Sequence, residues 1–584
     1  MTNQFGVLGG SEVSAFDARQ GAAPPSGSRS SREPPALFLA TDAIDNQSQR
    51  LMGRQSAGNG FLRGFIQAYG QPPGRPLDVI CPGANDAQFV GAALQRAGWR
   101  HPVRMLAADR PSSWGDIGVM YYPAPFSDAI GWQRSRQMGG VASFALCGVT
   151  HTISSDAVMR QLASYVSGPF ASHDALICTS LSVLRAVDSI WRAQLEHLRW
   201  RLGAAVSPEL PMLPVIPLGV HADDFTPDAA ERARARQRWG FDQREIVVLF
   251  VGRLSLHAKA NPLPMYLACA RAAATSGHSI RVLECGWFAN DPIRDSFDEA
   301  ARVAGVRVDR VDGREVGVTR AAYQAADIFV SLSDNIQETF GLTPVEAMAA
   351  GLPVVASDWD GYRETVRDGV DGLLIPTRQP SDADCASMLI EGYQDGRINY
   401  DRYVAYAHTM VAVDVEACAQ AIARLAGDRD LRLRLGASGR ERVRECFDWA
   451  RVLPQYQALW AEQRGRLGAL RQRDEGGPRL EPGMPNPLRM FAHYPSATIG
   501  EEALLHRDSA GSSTPRALRG LAMWRFSDGW LADADAVDKA WRALPEREDQ
   551  GISLREWAAA NGLAAPQAQR LAAWMAKVGL IVIR

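Results

Sequence analysis

Residues 335–355, NIQETFGLTPVEAMAAGLPVV, place two carboxylates, Glu338 and Glu346, on either side of a Phe-Gly-Leu-Thr-Pro turn. The run TPVEAMAAG predicts a short helix that Thr343 caps and Gly351 ends, with a proline in its first turn. The amides that open this helix belong to Phe340, Gly341, Leu342 and Thr343. Because a helix N-terminus attracts negative charge, we predict an anion site with polar binding groups on both sides.

The two glutamates differ in how strongly they indicate a function. Thr343 and Glu346 are three residues apart, as in a capping box, so a purely structural role would also account for Glu346. Glu338 lies in a loop beside Phe340 and Gly341, where an unpaired buried carboxylate would be costly. We therefore predict that Glu338 binds a polar group, whereas Glu346 could be either a helix-capping residue or a ligand-binding one.

Three basic side chains follow the first predicted strand of the same half of the chain, in VGRLSLHAKA: Arg253, His257 and Lys259. If this strand and the strand DIFVSLS are both central in one sheet, Arg253 and Lys259 lie beside the Glu338 loop. Two cations and a helix N-terminus together neutralise a diphosphate. A solvated salt bridge is the alternative for Arg253 alone, and Lys259 on the next turn argues against it.

Short β-rich runs alternate with helix-length segments along most of the chain. The first series is ALFLAT (36–41), LDVICP (77–82), IGVMYY (117–122), ASFALCGVT (142–150), DALICTS (174–180) and PVIPLGV (214–220). The second series is EIVVLFVG (245–252), IRVLECG (280–286), VRVDRV (306–311), DIFVSLS (327–333), PVVAS (353–357) and GLLIP (372–376). Apolar strands that alternate with helices predict parallel sheets covered on both faces. We therefore predict an α/β protein with two tandem doubly wound, Rossmann-like domains and a ligand cleft at the carboxyl ends of their strands.

The runs GRLSLHAK (252–259) and SDNIQETFGLTPVEAMAAGLPVVASDWDGYRETV (333–366) resemble family 4 glycosyltransferases of the GT-B fold. That family carries a Gly-Arg…Lys signature near the start of its second domain and a Glu-x7-Glu signature after a later strand. The likeness extends to CGVTHTIS, HDALICTS and PVIPLGVHADDF, and it spans about residues 36–470. The two signatures are specific in combination, whereas a lone Glu-x7-Glu would not be.

The resemblance implies a role for each residue that matches the family's motifs. Arg253 and Lys259 would hold the diphosphate of a nucleotide-sugar, next to the amides from Phe340 to Leu342. Glu338 would contact the donor sugar, and Glu346 would accept hydrogen bonds from the ribose hydroxyls. The family further implies a retaining reaction with no obligatory metal and no other cofactor.

The first half of the chain adds candidates at two strand ends. MGRQSAGNGFLRGFIQAY follows the first strand, and we interpret it as a glycine loop that leads into a helix; Gly58 and Gly60 are the donor-binding candidates. A flexible surface loop is the alternative. His151 follows ASFALCGVT; alone it would be a hydrogen-bonded structural histidine, but the resemblance implies contact with the donor sugar or phosphate.

The sequence therefore predicts a retaining glycosyltransferase that moves a sugar from a nucleotide-diphosphate-sugar to a sugar-containing or other hydroxyl acceptor. One alternative is a catalytically idle protein that binds nucleotide-sugar and acts as a regulator or scaffold. A GT-B epimerase or phosphorylase is another. The presence of Arg253, Lys259, Glu338 and Glu346 together argues against idleness.

Composition limits the class of partner. The 63 Lys and Arg residues balance 65 Asp and Glu residues, which gives no general electrostatic basis for binding nucleic acid. The eight cysteines are scattered and form no metal-ligand spacing, as expected of buried thiols in a reducing compartment. We find no signal peptide and no transmembrane-length apolar run, so we expect a cytoplasmic protein, with room for peripheral contact at the inner membrane.

Composition shifts also divide the chain. We predict a disordered leader (1–34), an acceptor domain (35–225), a donor domain with terminal helices (226–470), a linker (471–514) and a small C-terminal domain (515–584). In the last, a Ser553–Glu556 capping box, an Asn-Gly turn and a final strand-like LIVIR resemble a winged helix. Its second helix offers just Arg570 and Lys577 as cations, so a protein partner fits this domain better than nucleic acid.

Overall fold

The computed structural model describes residues 33–45, 53–70, 76–203, 208–472, 479–508, 513–527 and 529–584. The chain forms two compact units, Met1–Glu481 and Pro482–Arg584. The predicted leader, apart from its last two residues, lies outside the described residues.

The first sheet holds six parallel strands in the described residues. They are β1 (Ala36–Phe38), β2 (Leu77–Cys81), β3 (Val103–Ala107), β4 (Val119–Tyr122), β5 (Ala145–Val149) and β6 (Ala175–Ile177). Their spatial order is β3-β2-β1-β4-β5-β6, with registers such as Leu37 opposite Val79 and Leu37 opposite Tyr121. Strands β2 and β5 are buried along their whole length, as a sheet covered on both faces requires.

The second sheet repeats this order with six parallel strands of the described chain. They are β7 (Ile246–Val251), β8 (Ile280–Gly286), β9 (Arg307–Asp312), β10 (Ile328–Ser331), β11 (Val354–Ser357) and β12 (Gly372–Ile375). Their spatial order is β12-β11-β10-β7-β8-β9. Strands β8 and β9 are added on one side of β7 and strands β10 to β12 on its other side, so the strand order reverses between β7 and β10. Ligands of doubly wound sheets bind at this reversal. The predicted GT-B arrangement of two Rossmann-like domains is confirmed.

Helices cover both sheets. The α-helices of this unit are α1 (Thr41–Ile44), α2 (Gly53–Ala68), α3 (Ala84–Arg96), α4 (Asp128–Ser135), α5 (Asp156–Ser164), α6 (Leu181–Leu202), α7 (Ala229–Arg238), α8 (Pro262–Ser276), α9 (Asp291–Ala304), α10 (Val318–Ala325), α11 (Leu342–Ala349), α12 (Tyr362–Thr365), α13 (Ser387–Gln394), α14 (Tyr400–His408), α15 (Val415–Gly427), α16 (Arg429–Arg442) and α17 (Trp449–Arg471). Short 3-10 turns lie at Pro111–Ser113, Gly140–Ala142, Ala222–Phe225 and Ala383–Ala386, a π turn lies at Val443–Phe447, and Thr377–Arg378 (β13) pairs with Ala412–Val413 (β14). None of the helices in the described part of the chain has the length and apolarity that crossing a bilayer requires.

Two strand predictions were wrong. PVIPLGV forms isolated bridges instead of a strand, because its prolines have no amide to donate to a ladder. Val103–Ala107 forms an edge strand that the sequence did not indicate, since most of its side chains are exposed or half-buried rather than continuously apolar.

The last helix of the donor half packs on the acceptor half. Trp449, Tyr456 and Trp460 on α17 are buried in the same cluster as Phe61 and Tyr121 of the first domain. A Cβ on Gly64 or Gly219 would lie within 3 Å of the Trp449 ring, which explains glycine at these close approaches. The predicted boundary that assigns all terminal helices to residues 226–470 is therefore wrong for α17.

The C-terminal unit has its own core. It contains β15 (Leu504–Arg507), β16 (Ile552–Ser553) and β17 (Ile581–Ile583), with helices α18 (Pro487–Met490), α19 (Pro515–Arg519), α20 (Ala534–Arg542), α21 (Leu554–Ala560) and α22 (Ala565–Lys577), and 3-10 turns at Ala522–Ser527 and Glu548–Gln550. The antiparallel strand order is β16-β15-β17, and the Ser553–Glu556 capping box is present. Because β15 is the central strand, this domain begins inside the predicted linker, and the boundary at residue 515 is wrong.

Candidate functional site

Lys259 and Glu338 meet where the strand order of the second sheet reverses. Arg253 and Lys259 follow β7 and Glu338 follows β10, and these strands are paired neighbours, with Ile328 opposite Val248. The Lys259 ammonium donates to Glu338, with Nζ 3.2 Å from Oε2. The structure thus brings Lys259 to the Glu338 loop, and Arg253 lies at the same strand end as Lys259. Asn335 further joins the loops by donating its side-chain amide to the His257 carbonyl.

Glu338 is held as a carboxylate despite its burial. Burial disfavours the charged form, but the Lys259 charge and hydrogen bond, with the amides of Thr339 and Phe340, lower its pKa below the ordinary value. Thr339 N lies 3.2 Å from Glu338 Oε1. The Glu338 side chain is 14% exposed, so its charge faces the cleft with little solvent screening.

Lys259 is unusual in this chain, which contains three lysines, the others being Lys539 and Lys577. The chain otherwise uses arginine as its permanent cation. An ammonium is a compact point charge with rotatable donors, whereas guanidinium presents a rigid planar fork. A lysine at this position can therefore turn from Glu338 toward a ligand phosphate without reshaping the loop.

Arg253 is a half-buried cation that makes no hydrogen bond or ion pair with the described residues. Burial lowers its pKa, and the nearby charges of Asp401 and Tyr400 offset part of that effect. The pKa of His257 is also lowered, mainly by burial. An unpaired desolvated guanidinium is costly unless a ligand anion completes it. Arg253 and Lys259 thus leave a place for an anion at the end of β7.

The helix α11 begins two residues earlier than the sequence indicated, at Leu342 instead of Pro344. Gly341 precedes it with a left-handed φ of 83°, and no side chain caps this end. The predicted capping by Thr343 is wrong, because Thr343 lies within the helix and Glu346 bonds elsewhere. Phe340 is buried against Phe447, so its ring supports the turn. The uncapped amides of the first turn retain the predicted capacity for an anion.

Glu346 accepts a hydrogen bond from the Tyr323 hydroxyl, with 2.8 Å between Oη and Oε2. Burial raises the pKa of Glu346, and this hydrogen bond offsets part of the rise. Glu346 lines an open cavity of about 860 Å³ together with Gly60, Arg314 and Leu342. Since Glu346 does not cap the helix, the structural interpretation from sequence is excluded, and one carboxylate oxygen is available to a diol.

The glycine loop that the sequence predicted is a helix. Gly58 and Gly60 lie inside α2, where a Cβ on Gly58 would lie 2.1 Å from the Ala43 carbonyl oxygen. Gly58 shares a cavity of about 120 Å³ with His151 and Tyr122, whereas Gly60 lines the Glu346 cavity. His151 Nε2 donates to the Pro123 carbonyl at 3.0 Å. The structure thus separates Gly58 and His151 from the Glu346 cavity.

Hydrogen bonds cross the cleft between the two Rossmann-like domains. Ser180 Oγ donates to the Thr339 carbonyl at 2.7 Å, and Thr152 Oγ1 lies 3.4 Å from the Gln337 carbonyl oxygen. Tyr400 on α14 contacts Ser154 Oγ at 2.9 Å. The Glu338 loop is therefore positioned from both domains, next to the end of β5 that carries His151.

Three contributors to this region were missed by sequence reasoning. Tyr323 occurs in the amphipathic run VTRAAYQAAD with no distinguishing spacing, and Tyr400 lies on a helix that follows the last predicted strand. Asp360 could have been predicted as a turn residue at the site, because the Asp-Gly pair in SDWDGYRE follows a strand end and favours a turn.

The arrangement supplies the positive charge and hydrogen-bond donors that stabilise a departing anionic group. Two cations follow β7, and Lys259 pairs with Glu338, which is held ionised. The helix α11 begins shortly after Glu338 with no side-chain cap from the described residues. Preorganised donors of this kind stabilise a developing negative charge, while a carboxylate stabilises a developing positive charge.

Comparison with known proteins agrees with this chemistry. Residues 231–410 match the family model described as glycosyl transferases group 1. The chain is 34% identical to the D-inositol 3-phosphate glycosyltransferase of Geodermatophilus obscurus over 174 residues, which is 29% of this chain and 38% of that protein. It is 28% identical to the enzyme of the same name from Xylanimonas cellulosilytica over 284 residues, 47% of this chain and 63% of that protein.

The chain thus spans less than two thirds of the length of each of these curated relatives. Among solved structures, it is similar to the sucrose-phosphate synthase of Thermosynechococcus elongatus, at 20% identity and a TM-score of 0.46, covering 75% of this chain and all of that one. It is also similar to Anabaena HepE in complex with UDP, at 18% identity and a TM-score of 0.48, covering 72% and 98% of the two chains. Residues 231–410 of this chain are thus similar to the glycosyl transferases group 1 family.

Proposed function

We propose that this protein is a retaining glycosyltransferase that moves a sugar from a nucleotide-diphosphate-sugar to a hydroxyl acceptor. The observation that carries the proposal is the Lys259–Glu338 pair at the reversal of the second sheet. Arg253, which makes no hydrogen bond or ion pair with the described residues, follows the same strand as Lys259. The family match over the same half of the chain supports it.

The diphosphate binds at the end of β7. Arg253 pairs with the diphosphate, and Lys259 exchanges Glu338 for a phosphate oxygen. The uncapped amides at the start of α11 face the same charge. These groups stabilise the diphosphate as the bond to the sugar stretches, which is the main energetic requirement of the transfer.

The nucleoside binds in the cavity of about 860 Å³ that Glu346 lines. Glu346 accepts hydrogen bonds from the ribose hydroxyls, and Tyr323 orients it from behind. Arg314 and Thr319 lie at the wall of this cavity, where the base would be held.

Glu338 lies between the diphosphate end and the sugar. Its charge stabilises the oxocarbenium character that the sugar acquires when the diphosphate departs, and its oxygens orient the sugar hydroxyls. His151 and the small cavity around it belong to the acceptor side of the cleft. The relatives carry the name D-inositol 3-phosphate glycosyltransferase, and we extend from it a hydroxyl-bearing acceptor of sugar or cyclitol type.

The test is a panel of nucleotide-sugars, namely UDP-glucose, UDP-N-acetylglucosamine, GDP-mannose and ADP-glucose, with nucleotide release as the readout. One donor should release nucleotide slowly without acceptor. Lys259→Ala should abolish the release and Glu338→Ala should strongly reduce it, whereas Lys539→Ala, in the C-terminal unit, serves as the matched lysine control. Full activity of Lys259→Ala would refute the mechanism. Binding without any release would favour the idle scaffold, and isomerised donor would favour an epimerase.

A further inference from the structure

The turn that follows β11 is built directly onto the Glu338 loop. Trp359 Nε1 donates to the Asn335 carbonyl at 3.1 Å. A Cβ on Gly361 would lie 2.7 Å from both the Thr339 carbonyl oxygen and the Phe340 Cα, so only glycine fits against that backbone. Residues 359–361 therefore share one rigid wall with the Glu338 loop.

Asp360, at the centre of this turn, has a strained backbone. Its φ is 39°, the one left-handed value of a non-glycine residue in the described part of the chain. Such conformations cost free energy and persist where the surroundings enforce them, often at ligand sites. The Tyr362 amide donates to Asp360 Oδ1 at 3.3 Å, which fixes the direction of the side chain.

The second carboxyl oxygen of Asp360 is buried and has no hydrogen-bond partner among the described residues. Asp360 and Glu338 line the same cavity of about 450 Å³, with Ser182 from the opposite domain on its other side. An unsatisfied polar atom in such a place is costly unless a ligand supplies its partner. The oxygen Oδ2 thus marks a position for a polar ligand group next to Glu338.

The charges around Asp360 determine its protonation. Burial and the charge of Glu338 raise the pKa of Asp360 well above its usual range, while Lys259 and the amides of Gly361 and Tyr362 act in the opposite direction. In the same turn, Asp358 is paired with Arg363 at 2.9 Å. Because Glu338 is stabilised as the anion, the proton of this carboxyl pair resides on Asp360, at the oxygen that accepts no amide.

We propose that Asp360, as a neutral carboxylic acid, is a donor-sugar-binding residue that donates a hydrogen bond from Oδ2 to a hydroxyl of the transferred sugar beside Glu338. The acid and the adjacent carboxylate together select a neutral sugar over a uronic acid, whose carboxylate would be repelled by Glu338. This inference rests on the proposed function.

The test compares Asp360→Asn with Asp360→Gly. Glycine adopts a positive φ without strain, so Asp360→Gly removes the carboxyl group without adding backbone strain. Asparagine keeps a neutral hydrogen-bonding group and tolerates the same conformation. Asp358→Asn is the matched control, because it removes a carboxylate from the same turn whose partner is Arg363.

We expect Asp360→Gly to raise the KM for the nucleotide-sugar about tenfold, the loss of one hydrogen bond, and Asp360→Asn to raise it about threefold. Affinity for the matching nucleoside diphosphate alone should change less than twofold in both. The wild-type KM should rise with increasing pH as Asp360 loses its proton, and the Asp360→Asn KM should not. An unchanged KM in Asp360→Gly, or an equal loss of nucleoside diphosphate affinity, would overturn the inference.

The substrate class is tested with a donor pair that shares one base, UDP-glucose and UDP-glucuronate or GDP-mannose and GDP-mannuronate. The wild-type protein should bind the uronate donor at least tenfold more weakly, and equal affinity would overturn the selection. The proposed function fails separately, if the wild-type protein binds neither nucleoside diphosphates nor nucleotide-sugars. Binding of nucleoside diphosphate with no effect of Asp360→Gly on the sugar donor would overturn the inference alone.

Discussion

Glu338→Gln should have opposite effects on nucleotide binding and on turnover. Lys259 Nζ lies 3.2 Å from Glu338 Oε2 and must leave it to bind a diphosphate. The Lys259 side chain is 37% exposed and that of Glu338 is 14% exposed, so the pair is partly screened by solvent. We place its value at about 1 kcal/mol, at the upper end for surface ion pairs. Glutamine releases Lys259 from this ion pair, which should tighten nucleoside diphosphate binding about fivefold.

The assay is isothermal titration calorimetry with UDP, GDP and ADP, read on the nucleotide that binds most tightly. Lys259→Ala removes a charge-assisted hydrogen bond worth about 1.5–3 kcal/mol, and should weaken binding about 10- to 150-fold. The double variant should bind within twofold of Lys259→Ala, because the gain from glutamine depends on the freed ammonium. Turnover of the nucleotide-sugar by Glu338→Gln should fall about 100-fold. Weaker nucleoside diphosphate binding by Glu338→Gln would refute the reasoning, since Glu338 would then position Lys259 instead of competing for it.

Three further predictions follow from contacts elsewhere in the fold. Glu346→Gln should weaken nucleoside diphosphate binding about tenfold, and a 2′-deoxyribose nucleotide should show the same loss with the wild-type protein but no further loss with the variant; equal discrimination by both proteins would exclude the ribose role. Asp174→Asn should lower the free energy of unfolding by about 3–5 kcal/mol in chemical denaturation, because it leaves the fully buried Arg134 without its carboxylate, 2.9 Å away. Burial raises the pKa of Asp174, but its polar contacts, of which the charge of Arg134 is the largest, together outweigh burial and lower it. The wild-type pair should therefore stabilise the fold above the unfolded pKa of about 3.9 and lose that contribution as pH falls through the lower folded pKa. An Asp174→Asn variant with wild-type stability at pH 7 would contradict this prediction. Truncation after Glu481 should leave nucleotide release intact, because the core of the first unit is complete without Pro482–Arg584. Loss of nucleotide binding on truncation would mean that Pro482–Arg584 is part of the catalytic fold.

Continuous apolar runs made most of the fold predictable. Strands such as Ile246–Val251 are buried at every residue, and a continuous run of apolar residues in the sequence predicts such a fully buried strand. Edge strand Val103–Ala107 was missed because an edge needs no continuous apolar run. The position of α17 could not be read from sequence, since nothing in its pattern shows which sheet its aromatic face covers.

The site was predictable in its residues more than in its contacts. Lys259 and Glu338 each follow one of two paired central strands, and this placement was enough to bring them together. The bond of Glu346 to Tyr323 instead of a helix cap depends on the packing of α10 against α11, which no local pattern encodes. Gly58 and Gly60 were interpreted as a loop because glycine permits a turn, whereas here glycine permits close packing inside a helix.

A structure of the protein with the nucleoside diphosphate of its donor tests the central claim most directly. Diphosphate oxygens should lie within hydrogen-bond distance of Arg253 and Lys259, at the start of α11, with the ribose hydroxyls on Glu346 and Lys259 turned away from Glu338. A nucleotide bound elsewhere, with Arg253 still unpaired and the Lys259–Glu338 pair intact, would contradict the account.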